Sequence, residues 1–271
     1  MIRDKIKDKS YFEGYISQIK SIVDKSHQNY ANGIIKDDRI LWYKLNVFGY
    51  NFDILIAKYS LGFDIAKIKN DYLQILEMLS EGWSEQVTKV KGGSENTELW
   101  DQYMVSPYAK MLQMLSLGYL LNISDQNFQI LVDIIDRDNI SDNLYEFIIK
   151  ARFADRVQKR PEEYDTDQSV ILKVYDKLRK ATEQADKVEA NKLVKQFLEK
   201  DFYHEHSNFY EFHKKKYNAY YGYWSFEAAA VVKIMGLDDS SFIDNQYYPK
   251  DLVHQKSEPP KKKGFLGKLG F

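Results

Sequence analysis

The histidines and carboxylates of the C-terminal third are the residues whose types and spacing could do chemistry. His204 and His206 stand two positions apart, and Glu211 and His213 follow shortly after. Three convergent ligands from this set would suit Zn²⁺ in a metal-dependent hydrolase. Side chains at i and i+2 leave a helix on different sides, so such a site would require a loop. Exposed polar residues at a helix end are therefore the favoured interpretation.

A second candidate is the carboxylate pair Asp238-Asp239, which could hold Mg²⁺. No lysine or histidine stands at a motif spacing that would complete a catalytic site around it. Helix caps use the same residue types: Gly236-Leu237 fits a Schellman C-cap, and Asp239 or Ser240 fits the N-cap of the next turn. The sequence thus favours a protein without catalytic activity, metal or cofactor, and the hydrolase stays an alternative.

The amino-acid composition limits the classes of protein to which this chain can belong. The chain has 271 residues, of which 44% are hydrophobic and 29% charged, as in a globular protein. There are no cysteines, which excludes disulfides and a cysteine nucleophile. The first residues show no apolar signal-peptide segment, and the apolar runs fall short of the roughly 20 residues that a membrane span needs. We therefore expect a soluble, cytoplasmic protein.

Charge is unevenly distributed along the chain. Residues 1–121 carry 15 acidic and 15 basic side chains, and residues 122–254 carry 24 acidic and 19 basic ones. The last 17 residues hold five lysines and one glutamate. The body therefore sums to −5 and the tail to +4. An acidic body argues against direct nucleic-acid binding, which requires a basic face.

Apolar residues recur at helical spacing along almost the whole chain, which predicts an all-α fold. Strand signals are almost absent, and residues 88–97 are expected to form a polar loop. We predict two packed domains of antiparallel helices, with the boundaries 1–122 and 123–254, and a flexible lysine-rich tail over 255–271. The signals that end or begin helices are Ser60-Leu61-Gly62, Gly82, Pro107, Ser124 and Ser141-Asp142.

The stretch AYYGYWSFEAAAVVKIMGLDDSS, residues 219–241, is the most unusual in the chain. Its spacing predicts a helix over about 215–235, with Trp224 and Glu227 along one broad face. A partly buried Glu227 would require a partner, because an unpaired buried charge is costly. Tyrosine hydroxyls or Arg152 are the candidates.

The same region resembles the signature of the PoNi family, the immunity proteins for polymorphic nuclease effector toxins. The matching motifs are Gly222-Tyr223-Trp224, Phe226–Ala230, Gly236–Ser240, Tyr247–Pro249 and Asp251-Leu252. The N-terminal half is similar more loosely, through Tyr59-Ser60-Leu61-Gly62 and Leu115–Gly118, so that the resemblance covers roughly residues 5–254. The lysine-rich tail is not part of the pattern.

The resemblance implies a bacterial, cytoplasmic protein that binds a cognate DNase toxin, often one delivered by type VI secretion, and prevents self-intoxication. An acidic surface would complement the basic cleft of a nuclease. The candidate toxin-binding residues are Glu162, Glu163, Tyr164, Asp165, Asp167, Asp238, Asp239 and Asp244. Tyr223, Trp224, Glu227 and Gly236 are expected to be structural. Two alternatives stay open: each acid is an ordinary solvated residue or cap, or the chain is a helical scaffold for an endogenous partner or, through its tail, for membranes.

Overall fold

The computed structural model describes residues 1–92, 95, 97–158, 170–204, 210–216 and 219–255, with backbone only at 170–172. Its helices are α1 Lys9–Ala31, α2 Ile40–Leu61, α3 Ile65–Gly82, α4 Val105–Leu120, α5 Asp125–Arg137, α6 Asn143–Lys150, α7 Val170–Thr182, α8 Lys187–Gln196, α9 Phe226–Met235 and α10 Lys250–Val253. The prediction of an all-α fold is confirmed. No helix in these ranges is long and apolar enough to cross a membrane.

One hairpin interrupts the helices where a polar loop was predicted. Strands β1, Val87–Gly92, and β2, Glu98–Tyr103, pair antiparallel with Val87 opposite Tyr103. The loop prediction is wrong, and the sequence gives little sign of the strand because apolar and polar residues do not alternate in β1. Val87 shares one face with Lys89 and Lys91, and Val90 shares the other with Thr88. Trp100 is the buried residue of β2 that packs against Val90.

Local signals place several helix ends correctly. Gly62 closes α2 at a φ of 94°, and the side chains of Ser124 and Asp142 cap α5 and α6. Pro107 lies in the first turn of α4, where its missing N–H costs no hydrogen bond. Gly82 was expected to be a C-cap and is instead the last residue of α3.

The glycine at position 82 has a packing role. A Cβ there would lie 2.8 Å from the backbone carbonyl carbon of Lys44, so that only glycine lets α3 approach α2 this closely. Trp83, the residue that caps α3, is almost fully buried.

The large hydrophobic cluster of the described residues extends from Phe12 to Leu252 and includes residues of both halves of the chain. Helix α4, from the N-terminal half, packs against α9 of the C-terminal half. Buried tyrosines satisfy their hydroxyls within this core: Tyr72 donates to the carbonyl of Met114 at 2.7 Å, and Tyr145 donates to that of Tyr108 at 2.8 Å. The division near residue 122 stays a prediction.

Candidate protein-binding surfaces

Residues 219–225, here named the strap, have no regular secondary structure and contact the C-terminal end of α2. The Trp224 indole N–H donates to Ser60 Oγ at 2.8 Å, and Ser60 Oγ donates to the Tyr221 carbonyl at 3.0 Å. The predicted helix over 215–235 is therefore wrong over residues 219–225. Helix α9 begins only at Phe226, where the Ser225 side chain accepts an N–H from the first turn.

The backbone conformation of Gly222 is not that of a helix. Its φ of 123° lies outside the helical region, and a Cβ built on it would stand 2.2 Å from Ser60 Oγ. The same Cβ would be 2.8 Å from the Trp224 indole nitrogen. The glycine of the Gly-Tyr-Trp motif thus lets the backbone of the strap lie close to α2.

The strap also holds the N-terminal segment. The Tyr220 hydroxyl donates to a carboxylate oxygen of Asp4, and Asp4 accepts the backbone N–H groups of Ile6 and Lys7 at 2.7 and 2.8 Å. Tyr11 donates its hydroxyl to the Tyr220 carbonyl at 3.0 Å. Buried hydrogen bonds therefore link the first residues of the chain to residue 220.

Asp251 makes a second link of this kind. It accepts Arg3 Nε at 2.5 Å and the hydroxyl of Tyr59, while the Arg3 guanidinium also donates to the carbonyls of Tyr59 and Phe63 at 2.9 and 2.8 Å. The Asp-Leu motif of the signature thus joins α10 to the end of α2 and to the N-terminus.

Glu227 lies in the first turn of α9 with 1% of its surface exposed. Its Oε1 accepts the Ser225 hydroxyl at 3.0 Å, and its buried Oε2 accepts no hydrogen bond from the described residues. Burial raises its pKa to about 7. Arg152 is not its partner, since that guanidinium binds Asp125 at 2.7 Å and the Ile123 carbonyl at 2.5 Å.

The end of α9 matches the predicted Schellman cap. Gly236 has a φ of 60°, and the N–H of Leu237 donates to the Val232 carbonyl at 3.1 Å. The next short turn is capped by Asp238, which accepts the Ser240 N–H at 3.0 Å, rather than by Asp239 or Ser240.

The three described candidate acids lie in different environments. Asp238 is exposed, and the hydrogen bond from Ser240 lowers its pKa. Asp244 has 82% of its side chain exposed and pairs with Lys250 at 2.8 Å. Asp239 is 5% exposed and accepts hydrogen bonds from Tyr248 and His254. It therefore ties the Gly-Leu-Asp-Asp motif to the Tyr-Tyr-Pro motif.

The remaining candidates, Glu162, Glu163, Tyr164, Asp165 and Asp167, lie outside the described residues. The chain enters that segment after Gln158, whose amide donates to Asn143 Oδ1 at 3.1 Å at the start of α6.

Two of the residues considered as metal ligands, His213 and Glu211, have other partners. His213 Nδ1 lies 3.1 Å from the Tyr223 hydroxyl, and burial lowers its pKa. Glu211 pairs with Lys214 at 2.6 Å, and His206 lies outside the described residues. Within the described ranges, no three His, Asp or Glu side chains converge as a metal site would require.

Two openings beside α2 were missed by the sequence reasoning. The α1–α2 groove has a volume of about 580 Å³ and is lined by Ile22, Asn29, Ile34, Trp42, Tyr43 and Tyr50. The α2–α4 cleft has a volume of about 230 Å³ and is lined by Phe48, Tyr50, Asp53, Trp83, Pro107 and Lys110. Asn46 and Tyr50 line both, so that the two openings adjoin.

The groove exposes unusually large apolar side chains. Ile34 is 64% exposed and Trp42 is 62% exposed. Exposed aromatic residues on a concave surface are typical of protein-binding sites. Two sequence features mark these openings: Trp42, on the polar side of α2, and Asp53, within the apolar run NFDILIA. Neither side chain can be assigned to a surface from the sequence, because its position depends on the tertiary structure.

Comparison with known proteins shows a shared fold. No curated protein sequence matches the chain. A crystal structure of protein PA2201 from Pseudomonas aeruginosa matches with a TM-score of 0.60 at 17% identity, over 93% of this chain and 89% of that one. At this identity the likeness shows a shared fold.

The family models are more specific. The model "PoNe immunity protein (PoNi), N-terminal" matches residues 3–133, and the model "PoNe immunity proteins (PoNi), C-terminal" matches residues 140–252. Together they span nearly all of the described chain. The chain therefore belongs to the PoNi family, the immunity proteins against PoNe nuclease toxins.

Proposed function

We propose that this protein neutralises a cognate DNA-cleaving toxin by forming a stable complex with it, without catalysing a reaction. The observation that carries the proposal is the match to both halves of an immunity family. The positions of the signature residues support it: Asp239, Glu227 and Trp224 are buried and hydrogen-bonded within the fold. The signature builds the scaffold, and the exposed surface is left to recognise the toxin.

The proposed complex covers the surface with which the toxin holds or cuts DNA. A nuclease presents cations to the phosphate backbone, and the body of this chain carries a net charge of −5. The exposed acids Asp238 and Asp244, together with the predicted acids at 162–167, would attract that surface and speed association. In this proposal the complex forms in the bacterial cytoplasm, against toxin delivered by type VI secretion.

The test uses the toxin encoded beside this gene. Its purified C-terminal domain should cut plasmid DNA, and one equivalent of this protein should stop the cleavage and co-elute with the toxin in size-exclusion chromatography. Cleavage that continues at a tenfold excess would overturn the proposal.

The role of the exposed acids is tested separately. The double variant D238K/D244K should slow association with the toxin, while E77K/E183K, which reverses two charges at exposed residues of α3 and beyond α7, is the matched control. Equal association rates for both variants would remove these two acids from the interface.

A further inference from the structure

We infer that the α2–α4 cleft receives a cationic side chain of the toxin beside Asp53, and that the adjoining α1–α2 groove receives an apolar one. This inference rests on the proposed function and assigns a docking site to it. The argument has three parts: the unsatisfied carboxylate, the walls of the cleft, and the adjoining exposed apolar surface.

The carboxylate of Asp53 has one long ion pair, with Lys110, and one unsatisfied oxygen. Only 19% of its side chain is exposed, and its Oδ1 is buried without accepting a hydrogen bond from the described residues. The Lys110 ammonium lies 3.7 Å from Oδ1, beyond hydrogen-bond distance. Burial raises the pKa of this carboxyl. A buried acceptor of this kind gains much from an added charged donor, because its desolvation cost has already been met in folding.

The walls of the cleft suit a cation with a flat face. Among the aromatic residues that line it, Tyr50 is partly exposed, while Phe48 and Trp83 are almost fully buried; the Lys110 ammonium lies 5.8 Å from the centre of the Phe48 ring. An arginine guanidinium can stack on a partly exposed ring such as that of Tyr50 while it donates to a carboxylate. The volume of about 230 Å³ corresponds to several waters of ~30 Å³ each, so that the cleft has room for the end of a side chain.

The groove supplies the apolar part of the site. Trp42 and Asp53 are 11 positions apart on α2, or about 16 Å along the helix axis at about 1.5 Å per residue. That separation fits within one side of a standard protein–protein interface of about 800 Å². Buried arginines and aromatic residues are also the side chains that dominate binding energy at such interfaces.

The charge of the partner favours a nuclease as the occupant. DNA-binding surfaces are rich in arginine and lysine, and an arginine held by Asp53 is one that cannot hold a phosphate. The site therefore gives a physical route from binding to loss of DNA cleavage.

The experiment measures binding of the toxin's C-terminal domain by calorimetry to the full-length protein and to three variants. D53N should weaken binding by at least about tenfold, because a buried charged acceptor is lost from the interface. K110Q removes only the intrachain cation and should bind at least as tightly as the unaltered protein. D133N, at an exposed acid of α5 that accepts a hydrogen bond only from Gln129 among the contacts described, is the matched control.

The outcomes separate the two proposals. If the unaltered protein does not bind the toxin, the proposed function fails. If it binds and D53N binds within twofold, or if K110Q weakens binding as much as D53N, only the docking site is overturned. Thermal unfolding of each variant shows whether it is folded. The variant W42A tests the apolar groove separately, and its affinity for the toxin should fall by at least about fivefold.

Two other occupants would also overturn the inference. If the protein is a dimer that D53N dissociates in sedimentation, the cleft holds a second copy. If deletion of residues 256–271 increases toxin affinity in the unaltered protein and has no effect in D53N, the cleft holds the lysine-rich tail.

Discussion

Replacing Glu227 by Gln should remove a pH-dependent loss of stability. Burial raises the pKa of this carboxyl from 4.5 to about 7 in the folded protein. Below pH 4.5 the group is protonated in both the folded and the unfolded chain, so that ionisation costs nothing. Between pH 4.5 and 7 the unfolded chain ionises first, which lowers the free energy of unfolding. At about 1.4 kcal/mol per pH unit, the full loss is of the order of 3 kcal/mol above pH 7.

The assay is urea unfolding of the unaltered protein and of E227Q at half-unit steps from pH 4.5 to 8. The side-chain carbonyl of glutamine still accepts the Ser225 hydroxyl and does not ionise. The difference in unfolding free energy between the two proteins should therefore shift by about 3 kcal/mol in favour of E227Q as the pH rises. E77Q, which removes an exposed carboxyl of α3, should show no such shift. Parallel pH profiles for the unaltered protein and E227Q would refute the reasoning.

Three further predictions concern the strap, the N-terminal link and the encounter with the toxin. G222A should lower the free energy of unfolding by at least about 2 kcal/mol in urea, because its φ is 123° and its Cβ would meet Ser60, whereas G14A, in an open part of α1, should raise it by about 0.5–1 kcal/mol. D251N should cost about 1.5–3 kcal/mol, since it weakens charge-assisted hydrogen bonds from Arg3 and Tyr59; a melting temperature equal to that of D244N would contradict this. The rate of toxin association, measured by stopped flow, should fall steeply between 50 and about 300 mM NaCl, and a salt-independent rate would exclude electrostatic steering.

Local chemistry made much of the helical architecture predictable. Ser124, Asp142 and Gly236 act within a few residues of themselves, and their effect on the backbone can be predicted from sequence alone. The strap could not be predicted in this way. Its aromatic residues occur at a spacing that also fits a helix, and the conformation of Gly222 is set by Ser60, which is 162 positions away in the chain.

The candidate binding site was less predictable for the same reason. Asp53 lies in an apolar run of α2, and its unsatisfied oxygen depends on how α4 places Lys110 against that helix. A sequence gives the residue types but not the distance of 3.7 Å between these two side chains. The exposure of Trp42 likewise depends on where α1 ends.

The positions of the signature residues separate scaffold from recognition. A side chain that is buried and hydrogen-bonded inside the fold, such as Asp239 or Trp224, cannot contact a toxin unless the fold opens. Changes at these residues should therefore reduce stability and binding together and leave the salt dependence of association unchanged. Changes at exposed residues such as Asp244 and Trp42 should alter binding with little effect on the unfolding free energy. In the proposed complex the residues that hold the framework are not the ones that contact the partner, so that members of one family could share a framework and recognise different toxins.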